Sequence, residues 1–276
     1  MLIHTNQLIG ADIYATDGEA GSIHQLYFED DTWAVRYLVA STLGWLTGRE
    51  LLVSPLAVTR VDWKARRMDV ALSKKQFELS PDINTHLPVS RQHEAEFFNY
   101  YGYPYYWVGP SLWGETDYPF GAVAAANLER EPEFRVAGES PDSHLRSTES
   151  ITGYAIEAKD GELGHLDGFV FDDATWLLRY IEVATHNWWP GKKILISTDW
   201  MERISWEESK IYVSLTRDAI QSAPEYFRDE PLTREYETQL FRHYGRAPYW
   251  LNPAGHDQPS HDQARNDRSV VLTPAE

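Results

Sequence analysis

Between Leu8 and Leu72 apolar and polar residues alternate in short runs divided by turn residues. Ile9, Ala11, Ile13 and Ala15 fall on one side of an extended segment, the period-2 pattern of a half-buried strand. Asp17-Gly18 follows, a tight-turn signal because such a turn needs a positive φ that Gly adopts without steric cost. Gly21 opens the next strand, Ile23–Phe28, where a missing side chain permits close approach of a neighbouring backbone. Glu29-Asp30-Asp31-Thr32 reads as a turn, and Trp33–Ala40 as a third, strongly β-prone strand. Three more strands are predicted at Glu50–Val53, Ala57–Trp63 and Arg67–Leu72. Ser73-Lys74-Lys75-Gln76 has the spacing of a capping box, predicting a short helix through Leu79 that Pro81 ends. Six short strands at close spacing, with turn residues between them, predict a small closed or nearly closed barrel.

The same pattern is written again 143 residues later. Leu8–Ala40 aligns without a gap on Ile151–Val183: Asp17-Gly18-Glu19 falls on Asp160-Gly161-Glu162, Gly21 on Gly164, Phe28 on Phe171, and Arg36-Tyr37 on Arg179-Tyr180. This is one structural unit used twice. Strands are predicted at Ile151–Ala158, Gly164–Phe171, Trp176–Val183, Lys193–Ser197, Trp200–Trp206 and Lys210–Leu215, with Thr216 capping a short helix. The repeat continues past each barrel. Glu94–Gly102 aligns with Glu237–Gly245, each a short helix with Gly in the C′ position. Aromatic tails follow, Tyr103-Pro104-Tyr105-Tyr106-Trp107 and Arg246-Ala247-Pro248-Tyr249-Trp250, read as straps on a barrel or its neighbour.

The expected fold class is therefore mainly β: two small six-stranded barrels, each followed by short helices and an aromatic tail. Residues 1–82 form the first barrel, and 83–149 a helix, tail and Gly-, Pro- and acid-rich linker. Residues 150–225 form the second barrel, and 226–276 a helix, tail and polar end predicted to be disordered.

Charge narrows the partners. A net charge of −17 argues against nucleic acid and anionic membrane, whose binders neutralise phosphates with clustered Lys and Arg. With no Cys there is no disulfide, thiolate nucleophile or zinc–thiolate site. The opening MLIHTNQLIGADIY has no basic segment followed by an apolar one, and no run of 18 apolar residues exists. A signal peptide and membrane insertion are not expected, and a cytoplasmic location is.

The two copies resemble PRC-barrel domains, and the whole chain resembles bacterial tandem PRC-barrel proteins. The resemblance rests on the Asp17-Gly18-Glu19…Gly21 opening, on Phe28…Asp30-Asp31-Thr32-Trp33, and on Gly44-Trp45-Leu46-Thr47-Gly48-Arg49 before the fourth strand, in that order and duplicated. It implies a six-stranded antiparallel barrel used for contacts. In photosynthetic reaction centres such a domain is the cytoplasmic part of a component that also has a membrane helix. In the ribosome-maturation factor it binds a ribosomal protein. This chain shows neither the membrane helix of the first nor the extra N-terminal barrel of the second.

Chemistry-bearing residues are weighed against their structural roles. Asp30-Asp31 and Asp172-Asp173 are carboxylate pairs that could hold a hard cation, but the preferred reading is a hairpin turn in which Asp accepts backbone hydrogen bonds. The ten His form no metal-binding motif. Arg36 and Arg179 lie within Trp-x-x-Arg-Tyr strands, where an Arg snorkels outward or pairs with an acid on a neighbouring strand. No serine has a nucleophile-elbow context and no Gly-rich loop cradles phosphate. No catalytic residue, metal or cofactor is assigned. The interface candidates are Trp45, Arg49, Trp107, Trp188, Trp189, Lys192 and Trp250, since Trp and Arg are favoured interface anchors. A non-enzymatic scaffold contacting a protein partner or its own copies is expected. The alternatives are a small-ligand or carbohydrate module stacking on Tyr105, Trp107, Tyr249 or Trp250, and an accessory protein of a photosynthetic or electron-transport complex.

Overall fold

The computed structural model describes residues 1–42, 44, 46, 50–81, 91–120, 122, 144–185 and 192–251. It forms two compact units, each carrying one copy of the repeat. Trp45, Arg49, Trp188, Trp189 and the polar end of the chain lie outside the described residues.

The repeat-1 unit is built on β2 (Asp12–Ala15), β3 (Gly18–Glu29), β4 (Val35–Thr42), β5 (Glu50–Val53), β6 (Val58–Asp62) and β7 (Arg67–Val70). The repeat-2 unit has β9 (Ala155–Ala158), β10 (Gly161–Asp172), β11 (Leu177–Ala184), β12 (Lys193–Ser197), β13 (Met201–Ser205) and β14 (Lys210–Val213). Strand order is the same in both, β5-β4-β3-β2-β7-β6 and β12-β11-β10-β9-β14-β13. The twelve predicted strands all form.

Three features depart from the all-antiparallel six-stranded barrel. The β2–β7 and β9–β14 pairs are parallel. The hydrogen-bonded path is open, with β5 and β6 at its ends; between them Ser54 caps a 3-10 turn, Pro55–Ala57, in which Pro has no N–H to give a ladder. Finally, each sheet has a seventh strand that the sequence pattern does not reveal. β1 (Leu2–His4) pairs with β10 in the repeat-2 unit, Ile3 opposite Phe171. β8 (Leu145–Ser147), inside the stretch read as linker, pairs with β3 in the repeat-1 unit, Arg146 opposite Phe28. The two strands occupy equivalent positions, so the segment preceding each repeat completes the sheet of the other.

Central strands are buried on both faces. Val35 to Ala40 are all buried in β4, which reads as a continuous run instead of an alternation. β3 and β10 lie against their neighbours so closely that a Cβ on Gly21 would sit 2.2 Å from the Ser41 carbonyl oxygen, and one on Gly164 2.3 Å from that of Ala184. The close approach expected at Gly21 is therefore real and occurs twice. Trp33 and Trp176 begin no strand. They take left-handed turns with φ of 63° and 60°, a costly conformation for a bulky residue. The Trp33 N–H donates to Glu29 O at 2.8 Å, and its ring stacks on Phe28 at 5.1 Å, which holds it there.

Helix α1 (Lys74–Glu78) carries the predicted capping box: the Ser73 hydroxyl accepts from the Gln76 N–H and the Gln76 carboxamide from the Ser73 N–H. Helices α2 (Arg91–Tyr101), α3 (Thr148–Ile151), α4 (Arg217–Gln221) and α5 (Arg234–His243) follow. Both α2 and α5 end in a Schellman turn, with Tyr103 N–H donating to Phe98 O and Arg246 N–H to Phe241 O. Gly102 and Gly245 supply its positive φ, 69° and 62°. The turn reverses the chain so that each aromatic tail runs back along its helix.

Candidate binding site: a duplicated Arg–Glu–Tyr–Trp cluster

Helix α2 buries Glu94, Ala95, Phe97 and Phe98, and α5 buries Glu237, Leu240 and Phe241, the i, i+3, i+4 face of an amphipathic helix. A carboxylate on that face is unexpected, because an isolated buried charge is expensive. Both are 2% exposed, and both are saturated in the same way. In the repeat-1 unit Glu94 Oε1 accepts from Tyr37 Oη (3.0 Å) and Tyr106 Oη (2.6 Å), while Oε2 meets Arg91 at 3.0 Å. In the repeat-2 unit Glu237 Oε1 accepts from Tyr180 Oη (2.7 Å) and Tyr249 Oη (3.0 Å), while Oε2 meets Arg234 at 2.9 Å. The Arg lies one turn before the Glu, the first Tyr comes from the buried central strand, and the second from the tail. Each Arg also lies over the tail Trp, Arg91 4.6 Å from Trp107 and Arg234 4.1 Å from Trp250. The cluster therefore fastens sheet, helix and tail to one carboxylate.

Burial raises the Tyr37, Tyr106 and Tyr180 hydroxyls well above their ordinary value, the adjacent Glu adding to the effect. At neutral pH these phenols are donors and not nucleophiles. Burial also pushes Glu94 up despite Arg91 and its two tyrosine donors.

Repeat 1 extends the cluster. Arg36, fully buried, lies 3.7 Å from the Tyr106 ring centroid and 4.8 Å from that of Trp113. It donates to Glu29 Oε2 and to Leu112 O, each at 2.7 Å. Glu29 Oε1 reaches Arg91 at 3.4 Å, so one carboxylate bridges two guanidinium groups. Burial alone would raise Glu29; the contacts with Arg36 and Arg91 override it and hold the pKa at about 2.

Repeat 2 has a separate buried ion cluster. Glu182, fully buried, meets His4 Nε2 (2.9 Å), Arg228 Nε (2.7 Å) and Lys193 Nζ (2.7 Å). Asp167 joins Lys193 and Arg228 at 2.7 and 2.8 Å. Against the effect of burial, these donors hold Glu182 at about 2. The repeat-1 position is Val39, and the Asp167–Lys193 pair is replaced there by His24–Glu50 at 2.8 Å. This cluster belongs to one copy only.

Among the sequence candidates, Trp107 and Trp250 are half-buried beneath the cluster Arg residues and against Phe98 and Phe241. Tyr105 stacks on Trp107 at 4.7 Å. Lys192 is occupied internally, its Nζ donating to Gln221 O and Ala223 O at the end of α4. Arg36 pairs with an acid on the neighbouring strand as expected. Asp30 is more than a solvated turn residue: β8 brings Arg146 Nε to 2.8 Å and His144 Nδ1 to 3.3 Å from it. Asp31 lies 3.8 Å from His144. The guanidinium on Asp30 makes this an ion-pair cluster, and the positions equivalent to Asp31 and His144 are Ala174 and Met1.

No protein-family model and no curated protein matches this chain. The duplicated cluster must therefore be read from its own chemistry. Its central residues, Arg91, Glu94, Arg234 and Glu237, were not singled out from sequence. The available signal was the recurrence, at the 143-residue spacing, of an Arg-x-x-Glu pair among the core positions of a helix.

Proposed function

We propose that the chain is a non-enzymatic binding or scaffolding protein built on two PRC-type barrels, making contacts with a protein partner or with its own copies in the cytoplasm. The observation that carries this reading is the saturation of the duplicated cluster. Its carboxylates and phenols are spent on fastening each tail to its sheet, twice over. Apolar side chains meanwhile face outward after the first tail, with Val108 47%, Tyr118 52% and Phe120 81% exposed, the kind of surface that association covers. The shared strand order, the long β3 and β10 with their register shifts, and the burial of the central strands favour curling of each sheet into a barrel. No helix among the described residues is long and apolar enough to cross a membrane.

Light scattering on the full chain, with affinity capture from a source lysate followed by identification, tests the reading. Self-association or capture of one defined protein, reduced by Phe120→Ser, is expected. A strictly monomeric chain that captures nothing reproducible would overturn it.

A further inference from the structure

The two copies serve as internal controls for one another. In repeat 1 two guanidinium groups flank the tail tyrosine, Arg36 at 3.7 Å and Arg91 at 5.3 Å from the Tyr106 centroid. Repeat 2 keeps this frame, with Arg179 at 4.2 Å and Arg234 at 5.6 Å from the Tyr249 centroid. The anions differ. Repeat 1 sets two carboxylates, Glu29 and Glu94, against its two Arg residues. Among the described residues, repeat 2 sets only Glu237 against its pair, through Arg234. The position of Glu29 is taken by Asp172, one methylene shorter, which lies 3.7 Å from the Met1 ammonium. Among the described residues no carboxylate pairs with Arg179 and no acceptor takes its guanidinium protons. Leu112 and Trp113, which finish the surroundings of Arg36, correspond to Gly255 and His256, outside the described residues.

We propose that Arg179 and Arg234 form a carboxylate-binding site, receiving in repeat 2 an acidic side chain or chain end where repeat 1 supplies Glu29 from its own strand. A guanidinium pair suits this ligand because its planar N–H groups match the two oxygens of a carboxylate. The surplus positive charge stands out in a chain of net charge −17; Arg234 is exposed and Arg179 half-buried. A shallow depression of about 280 Å³, lined by Arg234, Glu235, Thr238, Gln239 and Arg242, lies beside Arg234 on the face of α5. The ligand has two sources: a separate acidic polypeptide, or this chain's own Asp257, Asp262, Asp267 and Glu276. The proposal rests on the binding-protein reading and specifies the chemistry of the partner.

The test is fluorescence polarisation of a labelled triglutamate peptide against the full-length protein at low salt, with triglutamine as control. For an external source, triglutamate binds the wild type and triglutamine does not. Arg179→Gln then weakens binding roughly tenfold or more, since charge-assisted hydrogen bonds are lost. Arg179→Lys weakens it less, and Arg203→Gln, an exposed Arg on Tyr212 in the same unit, leaves it unchanged. For an internal source, binding appears only after Asp257, Asp262, Asp267 and Glu276 are changed to Asn or Gln, and is again lost with Arg179→Gln. Arg234→Gln provides a second variant at an exposed position, checked for folding by circular dichroism. Absence of triglutamate binding in both backgrounds, or binding indifferent to Arg179 and Arg234, would overturn the proposal. Light scattering and lysate capture read the scaffold function independently of this peptide, so the two can fail separately.

Discussion

Replacing Glu29 with Gln should destabilise the repeat-1 unit by roughly 3 kcal/mol. The carboxylate accepts from Arg36 (2.7 Å) and Thr32 (2.9 Å) and lies 3.4 Å from Arg91. Its pKa falls from the ordinary 4.5 to about 2, which at 1.36 kcal/mol per decade amounts to roughly 3 kcal/mol of native-state stabilisation at neutral pH. Gln keeps one acceptor but leaves the guanidinium of Arg36 buried without an anion, and losing one partner of a buried pair costs about 3–5 kcal/mol. Asp172→Asn is the matched control in repeat 2, where a pair with the exposed Met1 ammonium is lost and a change of about 0–1 kcal/mol is expected. Urea unfolding of the full chain, followed by tryptophan fluorescence and far-ultraviolet circular dichroism, measures both. The double variant Glu29→Gln/Arg36→Met should recover part of the loss, because it removes the stranded cation as well. A loss below about 1 kcal/mol for Glu29→Gln, or an equal loss for Asp172→Asn, would refute the assignment of Glu29 as the bridging anion.

Gly21→Ala places a methyl group 2.2 Å from the Ser41 carbonyl oxygen and must force β3 and β4 apart; a loss of about 3 kcal/mol or more is expected from thermal melts, and an unchanged melting temperature would contradict the close approach. Tyr180→Phe removes a donor 2.7 Å from buried Glu237 and should cost about 1.5–3 kcal/mol in urea unfolding; a cost near zero would show that the carboxylate is satisfied without it. Glu29 and Glu182 are both held at about 2, so their stabilisation is present above the unfolded value near 4.5 and is lost as pH falls towards 2. Glu94, shifted upward, acts with opposite sign, its contribution shrinking as pH rises from the unfolded value through its folded one. Melting temperatures should therefore drop as pH is lowered from about 5 to 3, and Glu29→Gln should flatten that drop; a flat wild-type profile would exclude these two carboxylates as the controlling groups.

Within each repeat the chain itself determined much. The period-2 runs, Asp-Gly turns and Ser73 capping box act over a few residues, so the twelve repeat strands and helix α1 were legible without tertiary information. Gly21 and Gly164 announced a close backbone approach because no other residue leaves that space. What needs a distant partner was hidden. β1 and β8 are three residues each, too short to show any period, and are strands only because β10 and β3 offer them a ladder. Sequence spacing placed Trp33 in a strand, whereas the turn from Glu29 and the stacking on Phe28 hold it in a left-handed turn. Glu94 and Glu237 look like ordinary polar helix residues until folding sets two tyrosines and an arginine around each. Arg36 and Arg179 share the Trp-x-x-Arg-Tyr pattern, yet Glu29 reaches the first and Asp172 does not reach the second. That difference of one methylene group acts only through three-dimensional distance, which decides whether a buried charge is matched from within the fold or left to be matched by something else.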